Sequence, residues 1–134
     1  MILGDFIKDE NGNNHKMSGI LPFRSKKSKL SVGYRYIQGL KDTPMIKRNQ
    51  LIRGHEFHYW EIENNLSEPD FGKADHQKKL SSPWKIKSWK TEYKNEGFFD
   101  EKLHASWIHL HLPSSPELAK NFIDTTQITF SNHS

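Results

Sequence analysis

Residues 52–62 read Ile-Arg-Gly-His-Glu-Phe-His-Tyr-Trp-Glu-Ile, and this stretch decides the prediction of the fold. Its side chains alternate in character and are rich in aromatic rings, a pattern typical of a β-strand. Because successive side chains of a strand point to opposite faces, His55 and Phe57 share one face while Glu56 and His58 share the other. The stretch therefore predicts a strand with ionisable groups on both faces.

Other parts of the chain also predict strands. Residues 30–40 are rich in Val, Tyr and Ile and predict a strand with a possible bulge at Gly33. Residues 84–88 alternate and predict a half-exposed strand, whereas the apolar runs 17–21 and 105–112 predict buried strands. The polar residues 64–82 predict a loop or insertion.

A helix start is predicted after the last strand. Ser115 can cap the helix, Pro116 suits its first position, and Glu117 complements its positive end. Residues 128–134 are interpreted as a frayed tail. Strands followed by a strand–loop–helix unit indicate an α/β or mixed α+β layout, and the pattern leaves both open.

Composition indicates one folded domain with a small core. The 134 residues suffice for one domain, and 12% aromatic residues argue against disorder. Apolar residues make up only 34% of the chain, as expected for part of a larger domain whose partner strands carry more apolar surface. The sequence has no cysteine, which excludes disulfides, thiolate zinc ligands and a cysteine nucleophile within it.

Charge and hydropathy indicate a soluble cytoplasmic protein. The net charge of +4 is a mild excess, without the concentrated patch typical of nucleic-acid binding. No apolar run approaches the roughly 20 residues that cross a bilayer, and the N-terminus does not resemble a signal peptide. We therefore expect neither a nucleic-acid partner nor membrane insertion.

Two histidines in residues 105–112 are candidates for catalysis. His109 and His111 are two positions apart on a predicted strand, so they share a face near a helix start. An imidazole there can act as a general base near neutral pH. The alternative interpretation is a pair of hydrogen-bonded structural histidines.

The cluster from Arg53 to Tyr59 is a second candidate site. His55 and His58 are three apart, whereas a helical zinc site needs His four apart. Metal binding by some combination of these histidines, Glu56, His109 and His111 stays open, as does a satisfied polar network. Gly54 indicates a close backbone approach.

The segment from Lys78 to Lys94 carries basic residues interleaved with Trp84 and Trp89. Such a mixture occurs on surfaces that bind single-stranded nucleic acid. A solvated face of a strand explains the same pattern, and we favour that interpretation.

Several motifs together resemble one family. The run Arg53-Gly54-His55-Glu56-Phe57-His58-Tyr59 is the most specific piece. Around it, in the same order as in the cobyrinic acid a,c-diamide synthases, stand Gly19-Ile20-Leu21-Pro22, Val32-Gly33-Tyr34-Arg35, Ala105-Ser106-Trp107-Ile108-His109-Leu110-His111-Leu112 and Ser115-Pro116-Glu117-Leu118-Ala119. The resemblance runs from Met1 to about Ile123.

The resemblance implies a fold and a reaction. It implies the C-terminal portion of a class I glutamine amidotransferase-like, flavodoxin-like α/β domain, here residues 1–134. In such enzymes a Cys attacks the amide of glutamine with a His as its base, and an N-terminal domain uses ATP and magnesium to activate carboxylates of cobyrinate. The resemblance thus implies no cofactor in this chain, with glutamine, cobyrinate and a missing N-terminal ATPase portion as partners.

The resemblance also assigns residues. His109 matches the catalytic His, and His111 stands where ordinary class I amidotransferases have a Glu, so His111 is a weaker candidate for support. Arg53, His55, Glu56 and His58 match a family motif, which implies substrate binding or a domain interface.

This sequence departs from the family at its start. Met1-Ile2-Leu3-Gly4 matches only the tail of the family's nucleophile turn, and the sequence has no phosphate-binding Gly-x-x-x-x-Gly-Lys-Ser/Thr pattern. We therefore expect an enzyme part from a truncated or split gene, inactive alone. The alternatives are a non-catalytic remnant or binding module and, more weakly, a histidine-based metal hydrolase. Unpaired strands of such a part predict self-association.

Overall fold

The predicted strand around residues 52–62 is present as β4, Leu51–Ile62, in the computed structural model, which describes residues 1–63, 80–100 and 103–131. Burial alternates along β4, with Ile52, Gly54 and Glu56 buried and Arg53 and Phe57 exposed. This alternation confirms the strand and the division of its side chains between two faces.

Strand β3 is longer than its sequence pattern predicts. It spans Arg24–Gly39 and contains the whole of the apolar stretch that begins at Leu30, apart from Leu40. Gly33 has a φ of 133°, a conformation that favours glycine, so the irregularity expected at this position is present. The other elements are β1 (Phe6–Lys8), β2 (Asn14–Lys16), β5 (Trp84–Lys87), β6 (Lys94–Glu96), β7 (Phe98–Phe99), β8 (His104–Ala105), β9 (Ile108–His109), a 3-10 helix (Leu112–Ser114) and α1 (Pro116–Ser131).

The described strands form one mixed seven-stranded sheet and a two-stranded sheet. The larger sheet has the order β2-β1-β3-β4-β9, with β5 paired to β3 and to β6; β7 pairs with β8. The pairing of β1 with β3 is parallel, whereas β1–β2, β3–β5, β4–β9, β5–β6 and β7–β8 are antiparallel. With α1 beside the sheet, this arrangement confirms the mixed α/β class.

The prediction of a buried strand at residues 17–21 is wrong. Gly19 has a φ of 68°, which interrupts an extended chain, and the side chain of Ile20 is 57% exposed. The segment instead forms backbone hydrogen bonds with the N-terminal residues outside any regular strand. One of them runs from the Leu21 N–H to the Leu3 carbonyl at 2.7 Å.

The prediction of one buried strand at residues 105–112 is also wrong. Glu96 accepts hydrogen bonds from the Ser106 hydroxyl at 2.7 Å and from the Trp107 N–H at 3.0 Å. The Ser106 hydroxyl in turn accepts from the N–H of Ile108 at 2.8 Å. These bonds turn the backbone at residues 106 and 107, and the run divides into β8, β9 and the 3-10 helix.

The helix begins at Pro116 as predicted, and the carbonyl of Ser115 accepts the N–H of Leu118 at 2.9 Å. It continues to Ser131, so residues 128–131 are helical, and their interpretation as part of a frayed tail is wrong. Most of the predicted loop at residues 64–82 lies outside the described residues.

The chain divides into two compact units. The first consists of residues 1–32 and 57–79. In it β1 lies between β2 and the first half of β3, and Leu21, Phe23 and Ser25 are buried. Lys8 pairs with Glu63 at 3.3 Å, and Asp9 accepts a hydrogen bond from His15 at 2.8 Å.

The second unit consists of residues 33–56 and 80–134 and holds the main core. The core lies between the inner face of the strands and α1, because strand side chains of alternate positions meet Leu118 of the helix. Its buried members are Ile37, Ile46, Ile52, Trp84, Ile86, Ile108 and Leu118.

Candidate functional site

Two of the candidate histidines, His55 and His109, lie on the β4–β9 pair in the second unit. His55 and His109 are direct partners across the antiparallel strands, and Glu56 is the partner of Ile108. Ile108 is buried and Leu110 packs against the core, whereas His109 and His111 are exposed. β9 ends at His109, and His111 lies beyond it as the residue before the 3-10 helix, so the strand predicted to place both histidines on one face does not reach His111.

Aromatic and basic side chains surround the histidines on the same outer side of the sheet. The ring of Tyr34 meets His55 edge-on with centroids 5.4 Å apart, and the Arg53 guanidinium lies 5.4 Å from the centroid of Tyr36. We call Tyr34, Tyr36, Arg53, His55 and His109 the histidine face. Tyr34 is 78% exposed, so the face is uncovered by the described residues of its unit.

Gly54 brings β4 and β9 close together. A Cβ atom at this position would lie 2.3 Å from the Ile108 Cγ2 atom and 3.2 Å from the His109 carbonyl oxygen. Only a residue without a side chain fits between these strands, which confirms the close approach predicted from the sequence. Gly54 thereby fixes the backbone that carries His109.

Glu56 is placed away from the histidine face. Its side chain is 5% exposed and accepts a hydrogen bond from the Arg35 Nε atom at 2.6 Å, and the Arg35 side chain is 14% exposed. A charge buried to this extent needs such a partner, because desolvation otherwise disfavours it strongly. The position of Glu56 fits a structural ion pair between β3 and β4.

The remaining motif histidines have separate positions. His111 precedes the 3-10 helix, and its carbonyl accepts bonds from the N–H and hydroxyl of Ser114 at 3.0 and 2.7 Å. His58 is half-buried and belongs to the first unit. The histidine face therefore unites Arg53, His55 and His109 from the predicted set.

No group of three or more His, Cys, Asp or Glu within the described ranges is arranged to hold a metal ion. In the same part of the chain, no helix combines the length and apolarity needed to cross a membrane. What the histidine face offers chemically is an exposed imidazole, a side chain that can accept or donate a proton, beside a guanidinium that attracts anions.

His104 is a half-buried histidine that the sequence pattern did not single out. It lines a cavity of about 410 Å³ beside α1, together with Trp84, Leu110 and Phe122. Its ring lies against Trp84 with centroids 4.5 Å apart and the ring planes tilted by 53°, and partial burial lowers its pKa to about 4. Its sequence neighbours give no signal of this environment, because Trp84 and the helix come from distant parts of the chain.

Comparison with known proteins gives one consistent group of relatives, although no family model matches the chain. The chain is 30% identical over 132 residues to the cobyrinate a,c-diamide synthase of Syntrophotalea carbinolica, covering 92% of this chain and 26% of the relative. It is 27% identical to the cobyrinate a,c-diamide synthase of Synechococcus, covering 95% of this chain and 25% of the relative.

A third relative, the hydrogenobyrinate a,c-diamide synthase of Mesorhizobium japonicum, is 41% identical over 61 residues, which cover 44% of this chain and 14% of the relative. The chain thus spans about a quarter of the length of the first two relatives. The resemblance inferred from the motifs is confirmed: the chain is similar in sequence to the cobyrinate a,c-diamide synthases along nearly its whole length.

Proposed function

We propose that this chain is the C-terminal amidotransferase part of a cobyrinate a,c-diamide synthase and serves cobalamin biosynthesis. The observation that carries the proposal is the similarity to so-named relatives over 92% and 95% of the chain. The histidine face adds to it, because the matched motif around Arg53 and the matched His109 meet there across two strands.

In the proposed reaction His109 is the general base. It takes the proton from a cysteine thiol, and the thiolate attacks the amide carbon of glutamine. The C–N bond then breaks, ammonia leaves with the proton returned by His109, and water hydrolyses the thioester to glutamate. Because this sequence holds no cysteine, the nucleophile comes from residues outside it.

The exposed position of His109 fits this division of the site. A base that serves a nucleophile on another segment has to face outward, away from the core that Ile108 enters. We assign Arg53 and His55 to the glutaminase site or to the interface with the segment that carries the nucleophile. His111 has at most a supporting role, and His58 and Glu56 act through the structure around the site.

The rest of the proposed enzyme supplies the second half of the reaction. ATP and magnesium, bound outside this chain, phosphorylate a carboxylate of cobyrinate, and ammonia displaces the phosphate to give the amide. By itself the chain is then inactive. The finer fold assignment, the C-terminal portion of a flavodoxin-like class I amidotransferase domain, is supported by the order β9, 3-10 helix, α1 after the histidine strand.

A chimera tests the proposal directly. The matching segment of the Syntrophotalea carbinolica enzyme is replaced by this chain, and amidation of cobyrinate is followed by mass spectrometry. We expect glutamine-dependent formation of the diamide and release of glutamate. The same chimera supplied with an ammonium salt needs no glutaminase, so it controls for correct folding of the ATP-dependent portion.

Amidation with ammonium but not with glutamine would overturn the proposed glutaminase role and favour the alternative, a non-catalytic remnant or binding module that retains the fold. If the chimera loses both activities, a second chimera is made that carries only residues 51–131 of this chain. If that second chimera amidates cobyrinate with ammonium but not with glutamine, the result contradicts the proposal as well.

A further inference from the structure

The hairpin formed by β5 and β6 presents basic and aromatic side chains beside the histidine face. On β5 the side chains of Trp84 and Ile86 enter the core, so Lys85 and Lys87 point to the outer side. Lys87 is the cross-strand partner of Tyr36, which joins this surface to the histidine face within the second unit.

The two lysines share one aromatic ring. The ammonium groups of Lys85 and Lys87 lie 4.8 and 4.6 Å from the centroid of Tyr93. Cation–π contacts of this kind hold the ammonium groups in place without neutralising their charge. The Cα atoms of alternate strand positions lie about 7 Å apart, and both lysine side chains reach the same ring, so the pair places two positive charges next to each other on this surface.

The turn of the hairpin continues the pattern. Lys90 lies 4.4 Å from the centroid of Trp89, and Trp89 is 79% exposed. Ser88 and Thr91 order the turn, since the Thr91 hydroxyl accepts the Ser88 N–H at 2.9 Å. An exposed tryptophan on an ordered turn is informative, because large aromatic side chains are usually covered unless they bind something.

Several of these side chains line an open groove of about 670 Å³, among them Tyr36, Lys87, Trp89 and Tyr93. Lys85 lies at the edge of the groove, because its ammonium group contacts the Tyr93 ring. Among the described residues no carboxylate forms an ion pair with Lys85, Lys87 or Lys90, whereas Lys8, Lys26 and Lys27 of the first unit are all paired. The groove therefore combines lysines that have no ion-pair partner among the described residues with aromatic side chains, and its lining includes one carboxylate, that of Glu92.

We propose that this lysine–tyrosine groove binds the polycarboxylate substrate of the reaction, an acid with a broad apolar ring system and several carboxylates. The inference rests on the proposed function, from which the substrate class follows. Lys85 and Lys87 pair with two carboxylates of the ring's periphery, and Tyr36 and Trp89 contact its apolar surface. Bound in this way, the substrate lies next to the face that carries His109.

A single-stranded nucleic acid is the competing occupant, because stacked rings and lysines also suit it. The mild net charge of +4 argues against a phosphate backbone as the ligand. The two ligands differ in their anionic groups. The proposed substrate carries carboxylates around a ring, whereas a nucleic acid carries phosphates along a strand.

Isothermal titration of the whole chain with cobyrinic acid tests the inference. We expect binding that weakens at high salt and is lost with the same corrin whose carboxylates are all esterified. The variant K85Q/K87Q, which keeps most of each side-chain stem, should bind at least roughly tenfold more weakly. The matched variant K16A/K29A, which removes two exposed lysines of the first unit, should bind like the wild type.

Absence of cobyrinic acid binding to the wild type would overturn the inference, as would equal binding by K85Q/K87Q. A third outcome is that the wild type binds a short oligothymidylate but not cobyrinic acid, and that K85Q/K87Q abolishes this binding. That outcome would assign the groove to nucleic acid instead. If K85Q/K87Q does not fold, the single variants K85Q and K87Q replace it, and unchanged affinity in both then counts against the groove. A chimera that amidates cobyrinate normally with K85Q/K87Q leaves the proposed function standing and removes this inference alone.

Discussion

At the scale of residues, two ionisable side chains, the buried Glu56 and the half-buried His104, distinguish this chain from a purely apolar core. Glu56 is 4% exposed and depends on Arg35, and His104 is packed between Trp84 and Phe99. Both are costly in isolation, since desolvation disfavours their charged forms. The Glu56 carboxylate accepts a hydrogen bond from the Arg35 guanidinium, whereas both ring nitrogens of His104 are buried without a hydrogen-bond partner among the described residues.

His104 makes the stability of the fold dependent on pH. Its pKa is about 4 in the folded protein, against 6.5 for an ordinary histidine, because burial disfavours the imidazolium. The unfolded chain therefore takes up a proton first as the pH falls. Stability from this group is complete above pH 6.5 and decreases between pH 6.5 and 4, by on the order of 3 kcal/mol at most.

Urea titrations at pH 7.5, 5.5 and 4.5 check this prediction. The variant His104→Phe should flatten the dependence between pH 6.5 and 4, while His111→Phe, which replaces an exposed histidine, should keep it. A wild-type slope that persists in His104→Phe would show that another group causes it.

The ion pair of Glu56 predicts an unequal cost for two carboxylate substitutions. Glu56→Ala removes the buried carboxylate that accepts the Arg35 Nε hydrogen bond at 2.6 Å, so the free energy of unfolding should fall by about 3 kcal/mol. Glu61→Ala removes a carboxylate that pairs with Lys26 at the surface, and should cost much less than Glu56→Ala because solvent screens that pair. Thermal and urea unfolding of both variants measure the difference, and equal costs would contradict the buried role of Glu56.

At the scale of elements, the alternation of side chains predicted β4 and β5 with nearly correct ends, because each of these strands buries one face. The same reasoning failed at residues 105–112, where Glu96 of β6 binds the backbone and hydroxyl at Ser106 and Trp107. A contact with a residue ten positions away leaves no trace in local periodicity. The role of Gly54, in contrast, was predictable, since a lone glycine in a strand signals close packing.

Gly54 should couple energetically to Ile108. Gly54→Ala places a Cβ atom 2.3 Å from the Ile108 Cγ2 atom and should destabilise the protein by roughly 2 kcal/mol. In an Ile108→Ala background that methyl group is gone, so the same substitution should cost at least about 1 kcal/mol less. A double-mutant cycle by urea unfolding measures this coupling, and strict additivity would show that β4 and β9 are not in close contact.

At the scale of the whole molecule, apolar side chains remain uncovered in each unit. Leu30, Val32, Phe57 and Tyr59 of the first unit are exposed, and the histidine face is exposed in the second. Contiguous exposed apolar side chains mark surfaces that associate with another chain. The chain spans about a quarter of the length of its relatives, and the proposed partner segments would cover such surfaces.

We expect the isolated chain to self-associate. Sedimentation velocity should detect species heavier than the 15.7 kDa monomer, in a proportion that rises with concentration. Val32→Lys with Phe57→Lys should shift the distribution towards monomer, because charges oppose burial of that surface. The variant Lys16→Ala with Lys29→Ala serves as a control, and a wild type that is monomeric at all concentrations would refute the expectation.

The central claim is that His109, facing outward from β9, is the base for a nucleophile carried by another segment. In the chimera described above, His109→Ala should lower glutamine-dependent amidation by roughly 10²- to 10⁴-fold and leave ammonium-dependent amidation unchanged. His15→Ala, on the first unit, should leave both activities unchanged. Glutamine-dependent amidation that survives in His109→Ala would contradict the claim.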